Sequence, residues 1–223
     1  MITIYFGLPR SGKSTLIMRD IYKAKKYQEK IFKKAKRKKK SKKWYLKNNP
    51  YDCFYTNVDN TLCPSFLTKG LGSEWVYPER SLVCIDEAGI EYNSRKTLSL
   101  PQSTIEYLKL HGHYKTDIKF YSQTWEDIDV TIRRLAERYY YIKRCGPFTL
   151  VRRIKRVIMI NDEKQILDGF EFYHWWLRFL PFPFNVKDAI QLVFRPPYYK
   201  YFDSYSKMNV LERDYNLDKQ KNV

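Results

Sequence analysis

Apolar residues fall along this chain in short blocks separated by polar breaks. Ile2–Phe6 is a brief β-rich run that stops at Gly7. Phe54–Val58 and Leu82–Ile85 are unusually apolar for their length, as strands buried on both faces of a parallel sheet are, and Ile118–Tyr121 is another buried strand candidate. Ser14–Tyr27 instead spaces its apolar residues at 17, 21 and 24, which suits a helix packed on a sheet. Thr104–Leu110 and Ile128–Ala136 also read as helices, and Arg138–Lys143 as a further strand. The order strand, helix, strand, strand, helix, strand, helix, strand predicts an α/β domain, doubly wound, with a mostly parallel sheet and helices on both faces. After Gly146-Pro147 the pattern changes. Phe148–Ile160 alternates apolar and basic residues, as a half-exposed antiparallel strand or hairpin does; its charge also suits an edge strand. From about residue 165 the chain is rich in Pro and aromatics without clear period. These shifts divide it into a domain at 1–146 and a C-terminal extension at 147–223, a β hairpin with an aromatic, Pro-rich tail.

Charge alters this picture at one place. The net charge is +18, yet residues 23–47 hold fourteen Lys/Arg against the single acid Glu29. The helix begun at Ser14 is expected to dissolve in this basic insert, at about 30–47, because nine of the eleven residues Lys33–Lys43 are basic and no apolar face survives. A solvated, self-repelling loop is the plain reading. Such density also attracts phosphate polyanions by counterion release, and anionic lipid at about 1 kcal/mol per basic residue. Trp44 and Tyr45 follow directly, placed to stack on bases or to sit at a membrane interface. Single-stranded nucleic acid is the favoured partner for segment 33–43, with a membrane surface second. The four cysteines are far apart and form no metal-ligand spacing, consistent with reduced thiols in a cytoplasmic protein. Phe170–Phe194 is broken by charges and prolines and cannot supply a transmembrane helix. Trp175-Trp176 and the Phe179–Phe184 cluster read as core sooner than as interface.

The chemistry begins directly after the first strand. Gly7-Leu8-Pro9-Arg10-Ser11-Gly12-Lys13-Ser14-Thr15 contains G-x-x-x-x-G-K-[ST], the phosphate loop of P-loop NTPases. Glycines let backbone N–H groups turn inward on phosphates, and the following helix aims its positive end at them. Residues 7 and 9–15 are therefore the predicted nucleotide cradle for ATP, with Lys13 on the β- and γ-phosphates and the Ser14 hydroxyl on Mg²⁺.

A second motif supplies acids. Leu82-Val83-Cys84-Ile85-Asp86-Glu87 ends an apolar strand in two carboxylates. Asp86 is placed to hold Mg²⁺ through its water shell and Glu87 to polarise an attacking water. Alone, the pair reads equally as a helix N-terminus. Gln123, at the end of the Ile118–Tyr121 strand, is a candidate γ-phosphate sensor or simply a polar strand end. Hydrolysis is favoured over phosphate transfer by a nucleoside or nucleotide kinase, and over a non-catalytic nucleotide-binding membrane scaffold.

From Asp86 onward the residues resemble a known family. Asp86-Glu87-Ala88, Arg95, Pro101, Ile105-Glu106-Tyr107-Leu108, His111-Gly112-His113-Tyr114, Asp117-Ile118, Ser122-Gln123, Ile128-Asp129 and Ile132-Arg133 together resemble the zonular occludens toxin family. That family includes the assembly ATPases of filamentous phages and is grouped with the FtsK–HerA-type motors. The resemblance covers roughly residues 1–145. It implies a motor at the inner face of the host membrane that drives extrusion or packaging of phage single-stranded DNA. It also implies a homo-oligomeric ring, a hexamer in related motors, in which one subunit's arginine completes its neighbour's site. Arg95, Arg133 and Arg134 are the candidates, with Arg95 preferred and counted among the catalytic residues. Three features depart from the pattern: Gly112 stands where members usually have Arg, the basic insert is longer, and no transmembrane segment follows the ATPase region.

Overall fold

The computed structural model describes residues 1–63, 77–92, 100–160, 166–174, 176, 179 and 188–202. Five strands form a parallel core: β1 (Ile2–Phe6), β2 (Cys53–Thr56), β3 (Ser81–Ile85), β4 (Asp117–Ser122) and β5 (Arg138–Cys145), in the spatial order β2-β3-β4-β1-β5. Their alternate residues feed two apolar clusters, one on each face. Ile2, Ile4, Val83, Ile85, Ile118 and Phe120 pack with Tyr107 and Leu108 of α4 (Gln102–Leu110) and Ile132 of α5 (Val130–Leu135). Tyr5, Leu82, Cys84 and Tyr121 pack on the other face against Leu16, Ile17, Met18 and Ile21 of α1 (Lys13–Arg37). Both faces being covered explains why the central strands are largely apolar. A four-residue helix, α3 (Ala88–Glu91), follows β3. All four cysteines are free. Among the described residues no helix is long and apolar enough to cross a membrane.

The sheet does not stop at residue 146. Gly146-Pro147 is the turn of a hairpin in which β6 (Phe148–Ile160) returns antiparallel along β5, from Tyr139↔Ile154 to Cys145↔Phe148. β7 (Ile166–Phe172) then pairs with residues 154–160 of β6, and β8 (Ile190–Phe194) with residues 148–152. The antiparallel hairpin is thus present, but β6 is an interior strand and not an edge. Its alternation arises because Val151 and Ile154 face the core while Arg152 and Arg153 are only half-buried. A 3-10 turn, Pro196–Tyr201, closes the described C-terminal part against α1, where Tyr22 stacks on Tyr201 at 5.4 Å.

The basic insert is corrected by the structure. α1 does not dissolve but continues through Lys33, Lys34 and Lys36 to Arg37, and α2 (Lys42–Asn48) follows at once. Lys, Arg, Ala, Gln and Glu are all good helix formers, so the absence of an apolar face does not end the helix. Ser41 caps α2, accepting from the Trp44 N–H at 3.3 Å. The two helices are stapled by Phe32 against Tyr45 (6.3 Å) and by the Lys34 ammonium over Trp44 (5.8 Å). At 1.5 Å per residue, Lys33 lies about 30 Å along α1 from Lys13.

Candidate nucleotide site

The phosphate loop crosses from β1 to α1 at the C-terminal edge of the parallel strands, where open α/β sheets bind their ligands. Its glycines are required for two different reasons. A Cβ on Gly7 would lie 2.3 Å from the Ile142 carbonyl oxygen of β5. Gly12 has φ +101°, and a Cβ there would meet Thr149 Oγ1 at 2.2 Å. Neighbouring strands hold the loop: Gly7 N–H donates to the Ser122 carbonyl (3.2 Å), and Thr149 Oγ1 donates to the Ser11 carbonyl (3.0 Å). Arg10 also takes a left-handed φ of 60°.

Lys13 is only 5% exposed. Its ammonium donates to the carbonyls of Gly7 (2.9 Å) and Leu8 (3.3 Å) and lies 4.0 Å from Glu87 Oε1. Burial lowers its pKa, while Glu87 and Asp86 oppose that shift. Asp86 ends β3 and is 4% exposed. Its carboxylate accepts the Ser14 hydroxyl at 2.5 Å and the Glu87 N–H at 3.1 Å. Burial pushes its pKa up to about 6, against the opposing hydrogen bond from Ser14. Asn57, just past β2, clamps the Asp86 backbone from both sides: Asn57 Nδ2 donates to the Asp86 carbonyl (2.8 Å), and Asp86 N–H donates to Asn57 Oδ1 (2.7 Å). Sequence reasoning passed over Asn57, which lay inside the predicted strand Phe54–Val58 and carried no separate signal. Glu87 sits at φ 46°, the left-handed region that costs a non-glycine residue about 1–3 kcal/mol and that clusters at functional sites.

Lys13 and Glu87 border one cavity of about 370 Å³, whose first wall also includes Pro9, Arg10, Gly12, Ser14 and Thr15. Its other wall was not foreseen: Arg144 from the end of β5, Arg195 just after β8 and Tyr199 in the 3-10 turn. Two buried donors around it lack a partner among the described residues, the Ser11 hydroxyl and Arg195 Nε. Unpartnered donors, a positive lysine and a glycine cradle fit a polyphosphate. The paired Ser14 hydroxyl and Asp86 carboxylate are the hard oxygen ligands Mg²⁺ takes.

The remaining predicted residues are dispersed. Gln123 is exposed, one residue past β4, and does not line the cavity. Arg133 lies over the Trp125 ring at 5.4 Å and Arg134 is exposed, neither bordering the cavity. Arg95 falls outside the described residues, as do Trp175, Phe182 and Phe184. Trp176 and Phe179, expected in the core, are 48% and 73% exposed.

The family model of zonular occludens toxin (Zot) matches residues 1–186. Among solved structures, the chain is similar to the N-terminal domain of zonular occludens toxin from Neisseria meningitidis (18% identity, 80% of this chain and 97% of that one, TM-score 0.48). It is also similar to the genome packaging NTPase B204 from Sulfolobus turreted icosahedral virus 2 (13% identity, 75% and 96% coverage, TM-score 0.39). A third is the flagellar accessory protein FlaH from Methanocaldococcus jannaschii (11% identity, 75% and 88% coverage, TM-score 0.37). No curated protein matches the chain.

Proposed function

We propose, from the premise that this chain belongs to the zonular occludens toxin family, that it is a Mg²⁺-dependent ATPase driving extrusion or packaging of single-stranded DNA during virion assembly. It is a P-loop NTPase, and the observation that carries the motor reading is the meeting of two distant motifs. The Ser14 hydroxyl bonds Asp86 at 2.5 Å while Lys13 lies 4.0 Å from Glu87.

Ser14 and Asp86 would hold Mg²⁺, which when bound offsets charge on the phosphate oxygens. Lys13 exchanges its contacts with the Gly7 and Leu8 carbonyls for the β- and γ-phosphates. Glu87, fixed in its left-handed turn and part-exposed to the cavity, orients water and accepts its proton. Asn57 is a positioning residue that keeps the strand end carrying Asp86 in place. Gln123 is assigned the γ-phosphate response, and Arg95, with Arg133 and Arg134 as alternatives, the completion of a neighbour's site in a hexameric ring.

The load is assigned to the basic face of α1 and α2. Lys26, Lys30, Lys33, Lys34 and Arg37 recur at helical spacing and, with the single acid Glu29, line one groove, with Trp44 beside Lys34. That face lies about 20–36 Å along α1 from Lys13, so it grips DNA away from the site of hydrolysis. Placement at the inner face of the host membrane requires a partner or a surface contact, for which the exposed Trp176 and Phe179 are suited.

The test is ATP turnover with and without single-stranded DNA at two salt concentrations. Stimulation that weakens steeply with salt is expected. Glu87→Gln should retain nucleotide binding and lose hydrolysis, by on the order of 10²–10⁴-fold; normal turnover in that variant rejects the role of Glu87. Absence of DNA stimulation at low salt rejects the DNA motor.

A further inference from the structure

The two acids after β3 and the unforeseen wall of the cavity lie on opposite sides of the phosphate loop. In the strand order β2-β3-β4-β1-β5-β6, Asp86 and Glu87 follow β3, two strands from β1 on one side. Arg144, Arg195 and Tyr199 belong to β5 and to the segment after β8, on the other side. A nucleoside triphosphate held with its terminal phosphates at Ser14 and Asp86 therefore extends its base toward β5, β6 and the 3-10 turn.

What stands there is built. Arg195 is 7% exposed, and its Cδ lies 3.1 Å from where a Cβ on Gly12 would be, so the side chain rests on the phosphate loop itself. Its backbone N–H donates to the Pro147 carbonyl at 3.0 Å, and its Nη2 donates to the Gly146 carbonyl. Its Nε is buried and has no partner among the described residues, a costly arrangement unless a ligand supplies the acceptor. Tyr199 is 46% exposed, while its neighbours Tyr198 and Tyr201 are packed on Tyr22 of α1. The Thr61 N–H donates to the Tyr201 carbonyl at 3.0 Å and fixes the end of the turn. The result is one free aromatic ring on an anchored support, at the mouth of a phosphate site.

We propose that this segment completes the nucleotide site within the same subunit: Arg195 pairs with the α- and β-phosphate oxygens, and the Tyr199 ring stacks on the base. Both residues lie beyond residue 186, where the family match ends. The proposal rests on the reading of Gly7–Thr15 as a triphosphate site, and the experiment separates the two.

Affinities of the full chain for a fluorescent ATP analogue and for inorganic tripolyphosphate, which has no base, are measured by titration. Tyr199→Ala is expected to weaken the ATP analogue about tenfold, the low end of base–aromatic stacking, and to leave tripolyphosphate unchanged. Tyr199→Phe should bind as wild type does. Arg195→Gln should weaken both ligands about tenfold or more, as loss of a hydrogen bond to a charged group does. The proposal is overturned if Tyr199→Ala binds the ATP analogue within about twofold of wild type, or weakens both ligands equally. An Arg195→Gln variant that is folded by thermal denaturation and binds both ligands normally also overturns it. Should that variant fail to fold, the Tyr199 comparison decides alone. If Lys13→Ala binds tripolyphosphate as tightly as wild type, the phosphate-loop reading itself fails and the proposal falls with it.

Discussion

Asp20 offers the sharpest test of how α1 is fixed over the sheet. It is buried at 8% side-chain exposure on the first half of α1, and receives Lys119 Nζ of β4 at 2.6 Å and Arg19 Nη2 at 2.6 Å. Arg19 in turn donates to Gln191 of β8 at 3.3 Å, so the cluster ties α1 to both halves of the sheet. Burial would raise the carboxyl, but Lys119 and Arg19 together hold it down from 3.8 to about 2. At 1.36 kcal/mol per pH unit that difference is about 2.4 kcal/mol. Asp20→Asn also leaves Lys119 buried without its counter-ion, and breaking a buried pair on one side costs about 3–5 kcal/mol. The two figures bracket a loss of about 3 kcal/mol, or about 6–12 °C in Tm for a chain of this size. The assay is thermal and urea unfolding at pH 7, followed by tryptophan fluorescence. Lys119→Met introduced into Asp20→Asn should recover part of the loss, because it removes one of the two stranded cations while Arg19 remains. The pH dependence has a defined sign. A depressed carboxyl stabilises the fold above its unfolded value of about 3.9, and the contribution is lost as pH falls toward about 2. Stability of Asp20→Asn should therefore depend less on pH between those values than that of the wild type. A Tm within about 2 °C of wild type, or no recovery in the double variant, would refute the view that this pair clamps α1 to β4.

Two further outcomes follow from the site and the turn before β4. Mg²⁺ affinity in the presence of nucleotide should fall by about tenfold per pH unit below about 6, where the raised Asp86 carboxyl takes up its proton; titration calorimetry at pH 5 and 7.5 measures it, and equal affinities exclude Asp86 as a ligand. Gly112→Arg, which restores the arginine usual in the family, should change Tm by less than about 2 °C, since a Cβ at Gly112 meets nothing within 4 Å among the described residues. A large destabilisation would contradict the open surroundings of that turn.

Much of the nucleotide site was legible in the sequence because its constraints are local. Gly7 and Gly12 through Ser14 are adjacent in the chain, and their residue types follow from backbone geometry and phosphate charge. The parallel strands were legible as short, largely apolar runs because burial on both faces leaves few polar positions, Lys119 of β4 being one that Asp20 pairs. Asp86 and Glu87 could be suspected for their position at a strand end, but their approach to Ser14 and Lys13 depends on β3 lying two strands from β1.

Other features are decided by pairing between distant segments, which no local pattern encodes. The run Lys33–Lys43 looked unable to hold a helix; high intrinsic propensity and packing of α2 on α1 through Phe32 and Tyr45 carry α1 to Arg37. The alternation of β6 was compatible with an edge or an interior strand, and only its partners β5, β7 and β8 settle which. Asn57 meets Asp86 because parallel β2 and β3 end side by side. Arg195 reaches the phosphate loop across more than 180 residues of chain because β8 pairs with the same end of β6 that supports Ser11 through Thr149. The sequence alone therefore determined the phosphate-loop motif at Gly7–Thr15 and the local geometry it requires. The tertiary structure decided which side chains enclose it, since strand order and register bring together residues whose spacing along the chain carries no trace of their contact.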